Sequence, residues 1–166
     1  MSMSKYIALI TIVLLFFCIS GCDNDTYMDN VFDLDGVDVS LFHSLDNGAL
    51  FSEVVKGNSD CLLISNAGIF DKNMTPLGLC VAGGDVLSCL NISSGSGNFY
   101  WKPNGVFYIK DNRATIVVSS EFTESSAELT LAVQSGPLLI YRGEIMIQGS
   151  MSSTHTRSAI GLLKDG

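Results

Sequence analysis

The chain has 166 residues, and 17 Asp and Glu against 9 Lys and Arg give it a net charge of −8. That acidic balance works against the attraction to phosphate backbones on which nucleic-acid binding depends, so nucleic acid is not an expected partner. With 47% apolar and 16% charged residues, the chain has hydrophobic surface enough for the core of about one domain and does not belong to the intrinsically disordered class.

Taken in chain order, Lys5 precedes an apolar run over residues 6–19 in which Thr11 is the clearly polar member. This matches a short positive n-region followed by a secretory h-region, and it is too short to span a bilayer comfortably as a mature helix. Ile19-Ser20-Gly21-Cys22 follows directly and resembles the bacterial lipobox, in which the Cys becomes the lipidated N-terminus. The competing reading is a plain signal peptide that happens to contain Cys. Cleavage before Cys22 would leave 145 residues and, with Lys5 gone, a net charge of −9. Asp23 after the lipidated Cys resembles the signal that keeps enteric-type lipoproteins at the inner membrane. The expected location is therefore the bacterial cell envelope, lipid-anchored at the inner membrane and facing the periplasm.

Residues 22–30 are polar and aspartate-rich and read as a tether, so the domain proper is expected over residues 31–166. From there short apolar runs alternate with turn chemistry. A short helix around residues 48–55 competes with a strand. Residues 62–64 form a compact buried strand, and residues 77–81 and 86–90 flank Gly83-Gly84-Asp85, a tight hairpin signal. Pro103-Asn104-Gly105 and Asp111-Asn112 separate residues 99–101, 106–109 and 115–118, which suggests an antiparallel meander. Over residues 121–134, Phe122, Leu129 and Val133 recur near helical spacing, so a helix is expected there, capped by Ser119 or Ser120. Strands resume at residues 138–141 and 144–147, joined by Arg142-Gly143, and at residues 158–163. The resulting class is α+β: a mixed or mostly antiparallel sheet of short strands with one or two helices.

Of five cysteines, Cys18 lies in the leader and Cys22 would carry lipid, so Cys61, Cys80 and Cys89 permit one intramolecular bridge at most. A hairpin could bring Cys80 near Cys89, whereas the apolar neighbours of Cys61 suggest a buried small hydrophobe. No Cys or His spacing supports a zinc site, and His43 and His155 suit surface or hydrogen-bonding roles.

Four segments could carry chemistry. Asn66-Ala67-Gly68-Ile69-Phe70-Asp71 follows a buried strand and would project an amide and a carboxylate from its end; the bland alternative is a capped turn with a solvated Asp71. Residues 93–98 are rich in hydroxyls and backbone amides that could cradle a phosphate or a sugar, without the P-loop pattern. Gln134-Ser135-Gly136-Pro137 could bind an anion but does not match the nucleophile elbow of serine hydrolases. Arg157, just before an apolar strand, could clamp a phosphate with its planar fork or be an ordinary surface Arg.

Together, Asn66-Ala67-Gly68-Ile69-Phe70, Ser94-Gly95-Ser96-Gly97-Asn98-Phe99, Gln134-Ser135-Gly136-Pro137-Leu138-Leu139 and Arg157-Ser158-Ala159-Ile160-Gly161 resemble, in order and spacing, the phosphodiester glycosidase domain. The likeness is to its exported bacterial branch and runs from about Leu62 to the last residue. The family's eukaryotic member, the uncovering enzyme, removes N-acetylglucosamine from a sugar phosphodiester on lysosomal glycoproteins. The resemblance implies hydrolysis of a glycosyl-1-phosphodiester to a sugar and a phosphomonoester, with an envelope glycan or sugar phosphodiester as partner. On it, Arg157 and the Ser135 and Gly136 amides face phosphate, Asn66 beside Gly68 hydrogen-bonds sugar or phosphate, and Asp71 or Glu144 is the candidate carboxylate. Glu144 is as easily a strand-edge charge. The resemblance implies no particular cofactor.

One departure from the family is expected to matter. Its members continue to a later strand and a DGG-type motif, whereas here an apolar strand runs into Lys164-Asp165-Gly166, a hairpin signal without a second strand. The expectation is thus a lipid-anchored phosphodiester glycosidase whose domain lacks its C-terminal part, with or without activity after that loss; the alternatives are a non-catalytic envelope lipoprotein that binds glycans or a protein partner, and a fragment that does not fold stably alone.

Overall fold

The computed structural model describes residues 5–10, 32–34, 37–43, 51–147 and 158–163. Ten strands and one short helix follow in order: β1 (Lys5–Ile10), β2 (Val37–Phe42), α1 (Phe51–Gly57), β3 (Cys61–Asn66), β4 (Cys80–Ala82), β5 (Asp85–Ser88), β6 (Gly105–Lys110), β7 (Arg113–Val118), β8 (Leu131–Ser135), β9 (Ile140–Tyr141) and β10 (Glu144–Ile145). They form a five-stranded sheet in the order β5-β4-β8-β6-β7, a three-stranded sheet β2-β1-β3 and the ribbon β9-β10.

Every pairing in the five-stranded sheet is antiparallel, and its two hairpins turn through residues with positive φ. Gly83 and Gly84 stand at φ 59° and 90° between β4 and β5, and Asp111 and Asn112 at 51° and 59° between β6 and β7. These are the two-residue turns whose twist matches that of the flanking strands. Arg142 and Gly143 do the same between β9 and β10.

Alternation along the strands then builds two cores, one on each face. Cys80, Leu131 and Val133 pack with Phe107, Ile109 and Ala82 on one face, which Leu41 and Val39 of β2 cover. Val81, Val106 and Ala132 pack on the other face with Leu79, Leu129, Tyr108, Val117 and Phe122. β8 is therefore covered on both sides. The parallel sheet has a smaller core of its own, where Val54 of α1 packs against Phe42, Cys61 and Ile64. Of the two readings of residues 48–55, helix is the one realised from Phe51 onward; Glu53 in its first turn and Lys56 in its last suit the helix dipole.

Three expectations are corrected. Residues 121–134 are not a helix: short 3₁₀ turns at Ser119–Glu121 and Ser126–Glu128 lead into β8. The apolar run Leu131-Ala132-Val133 is continuous because both faces are buried, and such a run carries no period of its own. Residues 99–101 are not a strand of a meander; Asn98–Tyr100 form a 3₁₀ turn with Phe99 buried, and β6 pairs instead with β7 and β8. Residues 158–163 form no strand and are exposed throughout.

Of the expected leader, Lys5–Ile10 form β1, parallel to both β2 and β3. Residues 11–31, including Cys22, Asp23 and the tether, lie outside the described residues. So do His155, Arg157 and Lys164-Asp165-Gly166. No described helix is long and apolar enough to cross a membrane, which a lipid anchor would not require.

Candidate functional site

β3 ends at Asn66, β8 ends at Ser135, and β6 begins at Gly105, which pairs with Ser135. These strand ends gather the motifs. Gly68 lies against β8 so closely that a Cβ there would stand 3.2 Å from Val133 Cγ1 and 3.6 Å from the Gln134 carbonyl oxygen. Gly136 is tighter, since its Cβ would meet Asn104 Cβ at 2.8 Å and the Phe99 carbonyl oxygen at 3.1 Å. The segment 66–68 thus touches 133–134, and 136 touches the turn that follows the Ser/Gly-rich loop. Ser158, the first described residue after Arg157, donates from its hydroxyl to Asn66 Oδ1 at 2.6 Å. Four segments scattered over more than 90 residues meet at one end of the molecule.

The brace beneath them is Gln134. Its Oε1 accepts from the amides of Leu79 at 3.0 Å and Asn91 at 2.9 Å, and its Nε2 donates to the Asn91 carbonyl at 2.7 Å. Asn91 Nδ2 returns to the Leu77 carbonyl at 2.7 Å, and buried Asn104 donates to the Phe99 carbonyl at 3.1 Å. Within the segment expected to bind an anion through Ser135 and Gly136, Gln134 has a bracing role that its position in the motif does not reveal, and the turn residue Asn104 shares it.

The candidate carboxylates are placed apart. Asp71 sits at the base of the loop closed by the Phe70–Pro76 bridge, where its Oδ1 accepts from the amides of Asn73 at 2.8 Å and Thr75 at 3.0 Å. Glu144 is exposed in the β9-β10 ribbon, opposite Tyr141. Other acids hold cations: Lys110 bridges Glu124 at 2.7 Å and Glu128 at 3.3 Å, and Glu121 accepts from the Tyr141 hydroxyl at 3.0 Å with Arg142 at 3.7 Å. Hydrogen bonds to Glu124 and Glu128 hold the Lys110 pKa above its ordinary value.

Two concavities of about 230 and 370 Å³ lie at the β6-β7 turn, the opposite end of β6 from Gly105, and neither contains a motif residue. Among the described residues no three His, Cys, Asp or Glu side chains cluster as metal ligands. His43 is half-buried, and its Nε2 has no hydrogen-bond partner among the described residues. Cys61, Cys80 and Cys89 are all free. Cys80 stands opposite Ser88, so Cys89 falls outside that register and is exposed while Cys80 is buried.

The profile of the family described as phosphodiester glycosidase matches residues 59–166, which takes in all four motifs. The chain belongs to the phosphodiester glycosidase family. It is 40% identical over 103 residues to the uncharacterized protein YigE of Escherichia coli (strain K12), an alignment that covers 61% of this chain and 40% of that protein. The chain thus spans about two fifths of that relative's length. No solved structure matches it.

Proposed function

We propose that this phosphodiester glycosidase-family chain is an exported, lipid-anchored hydrolase of glycosyl-1-phosphodiesters that releases a sugar and leaves a phosphomonoester. The observation that carries the reading is the meeting of Asn66, Gly68, Ser135, Gly136 and Ser158 at one set of strand ends, within the stretch that matches the family. Loops held at the ends of rigid strands are where sites form. Cleavage at the anomeric carbon develops oxocarbenium character, which calls for a nearby carboxylate, while the departing phosphate calls for cations and amide donors. In this reading Arg157 and the Ser135-Gly136 backbone face the phosphate, Asn66 orients the sugar or phosphate, and Asp71 or Glu144 supplies the carboxylate. Phosphate leaves well unaided, so a strong general acid is dispensable. The Ile19-Ser20-Gly21-Cys22 segment supports anchoring at the periplasmic side of the inner membrane through lipid on Cys22.

The test is release of N-acetylglucosamine from a synthetic sugar phosphodiester by the full chain and by its Arg157→Ala form. Turnover by the full chain that falls at least a hundredfold in the variant is expected; unchanged turnover removes Arg157 from the site. A second reading, binding of an envelope glycan or protein partner without turnover, is favoured by Asp71, whose Oδ1 is already engaged by two backbone amides. Saturable binding of the diester with no released sugar would establish that reading in place of the first.

A further inference from the structure

We infer that Lys102 is a phosphate-binding residue of this site, an inference that rests on the phosphodiester reading above. Lys102 lies in the bend between the 3₁₀ turn Asn98–Tyr100 and β6, on the exposed side of the chain. Its Nζ stands 3.5 Å from Asn104 Oδ1. Asn104 is only 1% exposed, is fixed by its bond to the Phe99 carbonyl, and is the side chain that a Cβ on Gly136 would strike. The ammonium therefore lies within long hydrogen-bond reach of the buried amide that backs the Gly136 backbone.

Lys110 and Arg142 are engaged by Glu124, Glu128 and Glu121, whereas Lys102, like Lys56, Lys72 and Arg113, forms no ion pair among the described residues. Among the described cations, Lys102 is the one whose ammonium reaches Asn104, the side chain behind Gly136. In a chain with 17 acidic side chains, a cation left without a carboxylate beside a motif segment is available to an external anion. An ammonium offers three donors, and the single long bond to Asn104 leaves two for phosphate oxygens. During hydrolysis the C1–O bond breaks with its electron pair passing to the phosphate oxygen, and the water oxygen bonds C1. One water proton stays on the new sugar hydroxyl, and the other goes to the released phosphate or to solvent. Negative charge on the phosphate grows through that step, so Lys102 stabilises the transition state more than the bound diester.

Trp101, next to Lys102, is the single tryptophan, so its fluorescence reports ligand at this position. The experiment titrates the full chain with N-acetylglucosamine 1-phosphate and with unphosphorylated N-acetylglucosamine, and compares Lys102→Met and Lys102→Arg. Lys102→Met is expected to weaken the sugar phosphate about tenfold or more, as for loss of one charge-assisted hydrogen bond, and to leave the plain sugar unchanged. Lys102→Arg should stay near the parent. Equal sugar-phosphate affinity in Lys102→Met and the parent, or no sugar-phosphate binding by the parent, overturns the inference. If the parent turns over the diester and Lys102→Met does so equally fast, Lys102 is excluded while the hydrolase reading stands. If the parent shows no turnover yet Lys102→Met loses sugar-phosphate binding, the inference stands as a binding site and the hydrolase reading falls. Coincident thermal unfolding of variant and parent shows that the exposed substitution leaves the fold intact.

Discussion

Gln134 shows why residue identity at this site serves structure first. One buried amide saturates two N–H groups and a carbonyl from segments 43 and 55 residues away. Gln134→Leu keeps the volume and strands those groups, so a loss of about 3 kcal/mol or more is expected in urea unfolding; a midpoint equal to the parent's would contradict this. Gly136→Ala, with Asn104 Cβ 2.8 Å from the new methyl, should cost about 1–3 kcal/mol by overpacking. Its sugar-phosphate affinity should fall as well. Cys80 makes a pH-dependent prediction. Burial pushes its thiol up from 9.0 to about 11, so the folded state holds a proton that the unfolded state releases. The thiol's contribution is complete below pH 9 and is lost as pH rises through 11, amounting to about 3 kcal/mol. Cys80→Ala should flatten the fall in stability across that window, and parallel curves for the two proteins would refute it. Under the same logic a thiol reagent at pH 8 should label exposed Cys89 and spare Cys80 in the folded protein.

At the scale of elements, the turns were the most legible part of the chain. Gly83-Gly84, Asp111-Asn112 and Arg142-Gly143 each sit at a hairpin, because positive φ restricts residue choice strongly enough to show in a single sequence. Burial on both faces erased the corresponding signal in β8, whose strand character depends on partners β4 and β6 rather than on its own pattern. Phe99 misled in the same way, since an aromatic that anchors a 3₁₀ turn in the core reads locally like one in a strand. Four candidate motifs were legible, but the packing between their segments was not: it depends on glycines packed against strands distant in sequence, and on Asn104 and Gln134 beneath them. β1 carries a prediction of its own. It pairs only with β2 and β3, whereas β4 to β8 pair among themselves. The proposed cleavage before Cys22 removes β1, so the chain beginning at Cys22 should have less hydrogen-exchange protection in β2 and β3 than the uncleaved chain while keeping it over residues 131–135. Equal loss across all strands would show that the five-stranded sheet depends on β1.

Over the whole molecule, an antiparallel sheet buried on both faces fixes the strand ends from which the motif loops project, and a smaller parallel sheet covers one face. Against the acidic total charge, and with Lys110 and Arg142 already tied to carboxylates, any attraction for a phosphate falls to individual positive groups beside the cluster. The proposed reaction class rests on family membership over residues 59–166, and the proposed place is the junction of Asn66, Gly68, Ser135 and Gly136. The most direct test of that combination is sugar release from a synthetic N-acetylglucosamine phosphodiester by the full-length chain. Equimolar sugar and phosphomonoester are expected at a rate above the uncatalysed reaction, falling at least a hundredfold in Arg157→Ala. A cooperatively folded chain that releases no sugar would contradict it.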